Sequence, residues 1–293
     1  MDGLLENKIS QEYKNFIIDV FSTFITFCDQ HNLQYFCCGG TAIGVVRHQG
    51  MIPWDDDIDV LMPRADYDRF LELMEKECPE KYEIINPKKF VNYYLPFAKF
   101  CKRDSTILEH KEIPCAFGAN IDIFPLDGAS TTLEELQRDY LYFRRNANKL
   151  YALSRFVNQN VRMFFRYFSK LQIRTAWNEF QYAQNKNHQR SQVWNNLDSI
   201  LYKHKYEQSD MLGNYAGMWG LKEFGPKSWF DDFIYGEFEG LKVKLPIGYD
   251  ELLTKMYGDY MTPPPEEKRV SHHHLAFIDL KRKVSIQEIL KKL

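Results

Sequence analysis

At 293 residues with 44% hydrophobic content, the chain is long enough to bury one large core or two small ones. Charged residues make up 27% and the net charge is −2, which argues against a disordered composition and lacks the basic excess of a dedicated DNA-binding protein. No apolar run approaches the roughly 20 residues of a membrane span, and the first apolar stretch, broken by Asp19, Ser22 and Thr23, lacks the basic lead-in and cleavage site of a secretory signal.

Tyr13, Phe16, Ile17, Val20, Phe21, Phe24, Ile25 and Cys28 recur at three- and four-residue spacing and predict an amphipathic helix of about four turns. Residues 33–38 read as a short buried strand closed by Gly39-Gly40, and residues 41–47 as a helix that follows the glycines. A loop containing Gly50 and Pro53 leads to residues 57–62, where acidic and aliphatic side chains alternate as on a strand with one acidic face; Pro63 closes it. Residues 66–78 place Tyr67, Phe70, Leu71 and Met74 on one side of a second helix. Residues 82–86, 95–100 and 120–124 are further strand candidates, so the part up to about Asp127 reads as α/β. From 131 to about 205 the pattern is helical, and the last stretch is mixed, with a short helix after Ser285. Cys28, Cys37, Cys38, Cys78, Cys101 and Cys115 form no C-x-x-C pair and read as free thiols of a reducing cytoplasm, so the expected location is cytoplasmic.

The chemistry concentrates in residues 37–64, CCGGTAIGVVRHQGMIPWDDDIDVLMPR. Two apart on a strand, Asp57 and Asp59 project from one face. Carboxylates side by side are costly unless a cation lies between them. Hard divalent ions such as Mg2+ bind through one or two carboxylates plus substrate phosphate oxygens. The Gly39-Gly40 turn, after a strand and before a helix, sets backbone N–H groups where phosphates dock, and Thr41 caps that helix and adds a hydroxyl. A third carboxylate, for a second metal, is Asp122 in NIDIFPLD, an acid in an apolar strand. Two ions roughly 3.5–4 Å apart would clamp the attacking and leaving oxygens of an in-line displacement. Asp55 shares the alternation of Asp57 and can assist, whereas Asp56 should point the other way. Each piece alone has an ordinary alternative: a surface D-x-D, a plain turn, a buried cap at Asp122. Their order and strand context favour the metal site.

At these residues the sequence resembles the LicD family, which shares a nucleotidyltransferase-type fold with the fukutin-related proteins. The resemblance covers residues 39–70, continues in NIDIFPLD (120–127) and returns in YGDYMTPPPEEKR (257–269), with only a loose match between 131 and 249. It implies an α/β (α+β) architecture: a nucleotidyltransferase-like mixed sheet with flanking helices over residues 1–130, and a mainly helical part, 131–293, that completes the nucleotide and acceptor site, either as a separate part or as one compact unit with the core. It also implies an enzyme that moves phosphocholine, or a related phospho-alcohol, from a CDP-linked donor (CDP-choline foremost) to a hydroxyl of a cell-surface glycan, with release of CMP.

By the family pattern Asp57, Asp59 and Asp122 hold Mg2+ or Mn2+, two ions in all. Gly40 and Thr41, beside Gly39, contact phosphate, and Arg47 neutralises charge on the phosphoryl group. His48 is either structural or touches the diphosphate. Lys268 and Arg269, with Tyr257 and Asp259, either bind nucleotide or acceptor or form a solvated end. An aromatic cage would suit a quaternary ammonium; Trp54, Tyr93, Tyr94, Trp219 and Trp229 are its candidates, none singled out. His272, His273 and His274 read as a solvated or nucleotide-side cluster rather than a transition-metal site. The alternative activity, a nucleotidyltransferase that moves NMP from an NTP and releases pyrophosphate, would use the same triad. A scaffold without activity is a third reading, and nucleic acid is not an expected partner.

Between Arg138 and Lys205, thirteen basic residues face three acidic ones. Arg162, Arg166, Lys170 and Arg174, each four apart, predict one stripe along a helix, beside an apolar face of Val161, Phe164, Phe165, Phe168 and Leu171. The favoured expectation packs the apolar face on the core and leaves the bases in water. The alternative sets the stripe against an anionic glycan or a lipid-linked acceptor, as a peripheral contact at the inner face of the membrane.

Overall fold

The computed structural model describes residues 11–182, 184, 186–270 and 275–293. Helix α1 (Gln11–Gln30) leads through β1 (Phe36–Cys37) into α2 (Gly39–Ile43), which runs on as a π-helical turn, Gly44–His48. Next come β2 (Asp59–Pro63), α3 (Arg64–Glu77), β3 (Tyr82–Ile85), β4 (Ala98–Lys102), β5 (Thr106–Leu108) and β6 (Asn120–Ala129). Four helices follow: α4 (Leu133–Ser154), α5 (Val157–Phe168), α6 (Ile173–Tyr182) and α7 (Lys186–Leu201). The remainder holds β7 (Met211–Gly213), β8 (Phe224–Pro226), β9 (Phe233–Phe238), β10 (Leu241–Pro246), α8 (Tyr249–Tyr257), β11 (Phe277–Asp279) and α9 (Ile286–Lys292).

The fold is mixed α/β, as the sequence predicts. Its main sheet runs β1-β2-β6-β4-β3, with β7 and β8 added beyond the C-terminal half of β6. β2 and β6 are parallel, and the other pairs are antiparallel. This register sets Asp59 opposite Asp122, and Lys99 opposite Asp122 from the other side. Residues paired across a sheet share a face, so one face carries a row of three charged side chains. The next row, Val60, Ile123 and Ala98, is fully buried on the opposite face. That face is covered by α1 and α3 through the ring contacts Phe24–Phe70 (5.4 Å) and Phe70–Phe100 (6.3 Å). Truncating such a buried ring to alanine costs roughly 3–5 kcal/mol. Arg64, first residue of α3, forks onto Asp127 of β6 at 2.6 and 2.9 Å, and this buried pair fixes the helix on the sheet.

The chain beyond α7 returns to the sheet. β7 pairs with β6, and β11 pairs with β5. These short pieces, and the β9–β10 hairpin, lie in the stretch whose sequence reads only as mixed. The hairpin turns on Glu239 and Gly240, both at positive φ, the backbone shape that two-residue hairpin loops require. Four expected strands change their bounds by more than one residue: the one at 120–124 runs on to Ala129, and the one at 95–100 lies at Ala98–Lys102. The strand at 33–38 shrinks to Phe36–Cys37, and β2 begins at Asp59 rather than Asp57, although the Ile58 carbonyl already accepts the Asp122 N–H at 2.9 Å.

The basic stripe also differs from expectation. Helix α5 ends at Phe168, the chain turns through Leu171 at φ +57°, and α6 begins at Ile173. Arg162 and Arg166 therefore share one helix, Lys170 sits in the turn, and Arg174 is on the next helix. The apolar face is not on the core: Val161, Phe165, Phe168 and Leu171 are exposed. The physical reason is that the inward positions are polar. Arg155 forks onto Glu179 (2.7 and 2.8 Å), and the buried Asn160 amide donates to Glu179 and to the Ala152 carbonyl. His272, His273 and His274 lie outside the described residues. Among the described residues no helix is long and apolar enough to cross a membrane.

Candidate active site

The acidic loop closes over the first turn of α2 because two glycines leave room for it. A Cβ on Gly40 would fall 2.4 Å from Asp55 Oδ2, and one on Gly39, at φ +54°, would fall 3.4 Å from Asp59 Oδ2. Any side chain at position 40 would push the Asp55 carboxylate out. The backbone of Asp59 is clamped twice: its N–H donates to Thr41 Oγ1 (2.8 Å) and its carbonyl accepts from the Cys38 N–H (3.2 Å). Thr41 thus positions an acid instead of capping the helix. Gly39 lets α2 start two residues earlier than the sequence suggests, and Cys38 holds the cap position without a side-chain bond.

The carboxylate oxygens of Asp55, Asp56 and Asp57 all lie within 4.8 Å of one another, a group that could hold a metal ion. Asp56 is buried among these acids rather than turned away. The strand alternation that predicts the opposite does not apply, because the loop reaches regular β geometry only at Asp59. Burial, then the charge of Asp57, pushes the Asp55 carboxyl up to about 8. Burial, then the charges of Asp59 and Glu223, push the Cys38 thiol up. Crowded acids of this kind fit a hard divalent cation, which removes the repulsion that raises Asp55.

Sequence reasoning missed the third part of the site. Lys99, 4% exposed on β4, places its ammonium 2.6 Å from Asp122 Oδ1, 3.1 Å from Asn120 Oδ1 and 3.3 Å from Glu109 Oε1. Three acceptors match the three donors of an ammonium. Burial opposes the charge, and Asp122 and Glu109 overcome it, holding Lys99 protonated well above its ordinary range. The Tyr94 hydroxyl donates to Glu109. A lysine within the apolar run Phe97-Ala98-Lys99-Phe100 is as anomalous as Asp122 in its own strand, and the same argument applied to it marks Lys99 as a residue in need of a partner.

A second group assembles around Trp54, the residue before Asp55. The guanidinium of Arg47 lies 6.0 Å from the Trp54 ring and that of Arg269 lies 5.3 Å from it. The His48 ring meets Trp54 edge-on at 6.1 Å. Arg47 donates to the Tyr260 carbonyl and to His48 Nδ1. Burial and then Arg269 lower the Arg47 guanidinium, while burial and then Arg47 lower His48. Four residues singled out in the sequence thereby meet, three from residues 47–54 and one, Arg269, from far along the chain. Lys268 stands exposed on the 3-10 turn Glu266–Lys268.

Of the aromatic candidates, Tyr93 and Tyr94 are buried in the core, and Trp229 fills the space left by Gly225 and Gly248. Trp219 is 43% exposed and meets Tyr257 at 4.5 Å, and the Tyr257 hydroxyl lies beside Gly39. A separate acidic group, Glu135, Asp139 and His204, could also hold a metal but already receives the Lys203 ammonium at 2.6 Å from both acids.

A model of the LicD/FKTN/FKRP nucleotidyltransferase domain matches residues 32–149, the span that contains both glycines, the acid loop, Lys99 and Asp122. The lipopolysaccharide cholinephosphotransferase LicD of Haemophilus influenzae is 31% identical over 264 residues, 87% of this chain and 92% of that protein. An uncharacterised protein of Rickettsia typhi is 36% identical over 62 residues, 21% of this chain and 20% of that protein. Another, from Rickettsia prowazekii, is 52% identical over 31 residues, 11% of this chain and 12% of that protein. With a likeness that runs through nearly its whole length and a domain match centred on the glycine turn and its acids, this chain belongs to the LicD family and is a transferase.

Proposed function

We propose that the enzyme moves phosphocholine, or a closely related phospho-alcohol, from a CDP-linked donor to a hydroxyl of a cell-surface glycan. The observation that carries this reading is the cluster of Asp55, Asp56 and Asp57, with Asp55 against Gly40 and Asp59 against Gly39, in a chain related over 87% of its length to a lipopolysaccharide cholinephosphotransferase. The sugar oxygen forms a bond to the phosphorus that bears the alcohol. The bond from that phosphorus to the bridging oxygen breaks, and CMP leaves with the electron pair. One of the loop carboxylates accepts the hydroxyl proton.

Asp57, Asp59 and Asp122 are the residues that would hold Mg2+ or Mn2+, with Asp55 and Asp56 beside Asp57. A divalent ion there supplies charge neutralisation at the donor phosphates. A second ion would have to share Asp122 with Lys99, which already sets a fixed positive charge on it. The N–H groups at Gly40 and Thr41 take a phosphate oxygen. The Arg47 fork neutralises charge that develops on the transferred group. Trp54, with Arg47 and Arg269 over its ring, would line the nucleotide side of the site. Trp219, against Tyr257, would offer an aromatic surface to a quaternary ammonium. Unpaired thiols at all six cysteines fit a reducing cytoplasm as the setting.

The matched domain is described as a nucleotidyltransferase, and that favours one alternative, transfer of NMP from an NTP. The two readings differ in the phosphorus attacked. Incubation with CDP-choline, CDP-ethanolamine, CDP-glycerol, CDP-ribitol or CTP, with Mg2+ or with EDTA, separates them. CMP release from one CDP-alcohol, lost in EDTA, is the expected result. Pyrophosphate from CTP, with every CDP-alcohol inert, would replace this reading with the alternative.

A further inference from the structure

Eight of the 21 large apolar side chains that stand exposed among the described residues fall within residues 157–180, the α5–α6 hairpin. On α5, Val161, Phe165 and Phe168 follow i, i+4, i+7 spacing, and on α6 Ile173, Trp177 and Phe180 repeat it, so each helix carries one apolar stripe. Phe164 joins the stripes into one face: its ring meets Phe165 at 5.1 Å and Phe168 at 5.8 Å on α5, and Phe180 of α6 at 5.9 Å. Leu171, 84% exposed, extends that face at the hairpin tip. The hairpin does not need this face to stay attached, since Arg155, Asn160 and Glu179 fasten its inner side.

Beside the apolar face stand Arg162, Arg166, Lys170 and Arg174, all exposed and none in an ion pair among the described residues. On α5, Arg162 and Arg166 lie about 60–100° around the helix from Phe165, at the border of the apolar stripe. An apolar, aromatic face bordered by arginine and lysine is the chemistry of helices that lie in the interface of an anionic bilayer. A polyanionic glycan would engage the bases and leave the aromatic rings in water. A second copy of the chain would bring four bases against four bases. We propose that the α5–α6 hairpin is a docking surface for an anionic lipid membrane, with Phe165, Phe168 and Trp177 entering the interface and the bases meeting headgroup phosphates. The inference stands on the hairpin alone and does not depend on which donor the enzyme uses.

The test is co-sedimentation of the full chain with vesicles of phosphatidylcholine, with and without phosphatidylglycerol, at low salt and at about 0.5 M salt. The wild type should pellet with the anionic vesicles and stay in solution with pure phosphatidylcholine or at high salt. Changing Phe165, Phe168 and Trp177 together to Ser should lower partitioning at least about tenfold. Changing Arg162, Arg166 and Arg174 together to Gln should lower it roughly a hundredfold, from about fivefold per base. Melting temperature should not move in either variant; if the aromatic variant misfolds, Phe165→Ser alone gives the same readout. Wild-type protein that stays in the supernatant with anionic vesicles overturns the proposal. So does either triple variant binding them like the wild type. A wild-type dimer that the Ser variant dissociates, without vesicle binding, assigns the face to a second copy. Binding of a soluble polyanion that needs only the bases, again without vesicle binding, assigns it to a glycan.

Discussion

At Lys99 a positive charge is buried among Asn120, Asp122 and Glu109, whereas at Arg162, Arg166, Lys170 and Arg174 positive charges stand in solvent beside exposed rings. The same residue chemistry serves two ends. In the sheet, the register of β2, β6 and β4 forces charged side chains into one row, and each must find a partner because an unpaired buried charge is far costlier than a solvated one. In the hairpin, a polar inner side already secures the fold, so the outer side is free to carry apolar and basic groups that the monomer does not use. One region is fixed by its internal pairing; the other is held open toward something outside the chain.

This contrast yields graded expectations. Lys99→Met should strike hardest, since it leaves Asp122 and Glu109 without their cation: about 3–5 kcal/mol lost in denaturant unfolding, with turnover lost as well. A variant as stable as the wild type would show that the buried pairing is not what holds the row. Arg47→Ala should lower kcat roughly 10–100-fold through lost charge stabilisation, at a stability cost of about 1 kcal/mol for the bond to the Tyr260 carbonyl. Kinetics that show only a KM change would assign Arg47 to ground-state binding.

Glu223 gives a smaller, pH-resolved effect. It accepts from the Trp219 N–H (2.7 Å) and the Asn214 amide (2.9 Å), and burial raises its carboxyl to about 7. The folded state therefore holds that proton to higher pH than the unfolded chain does. Stability falls as pH rises from the ordinary glutamate range through about 7. Glu223→Gln should flatten that fall, by on the order of 1–3 kcal/mol between pH 5 and 8, in paired thermal melts. Parallel pH profiles for the two proteins would remove Glu223 from the account. The smallest effect belongs to the hairpin: replacing Arg162, Arg166 and Arg174 by Gln should change stability by less than about 0.5 kcal/mol. A large drop in melting temperature would mean that the stripe is structural after all.

Much of this was legible in the residues. The spacing of Ile17, Val20, Phe21 and Phe24 predicts α1, and Asp59, Asp122 and the glycine pair stand out because acids and glycines at strand ends need a reason to be there. What stayed hidden depends on register or on distance along the chain. Lys99 meets Asp122 only once β4 is laid against β6, and no local pattern fixes that pairing. Arg269 reaches Trp54 from near the other end of the chain. Asp56 departs from alternation because the loop before Asp59 is not a strand. The hairpin shows the limit of periodicity: it finds an apolar stripe in residues 161–171 but cannot say which side faces in, a choice settled by the buried Arg155–Glu179 pair.

The central claim is that the acids gathered at the end of β2 hold a divalent ion where a CDP-linked donor is cleaved. Mn2+ binding followed by electron paramagnetic resonance, with CMP release from CDP-choline measured on the same samples, tests it most directly. The account predicts bound Mn2+ and turnover in the wild type. In Asp57→Asn and Asp59→Asn it predicts loss of bound Mn2+ and a fall in turnover of about 100–1,000-fold, the scale on which removing one stabilising group acts, with melting temperature in EDTA unchanged or raised. Asn variants that bind Mn2+ and release CMP as the wild type does would contradict it.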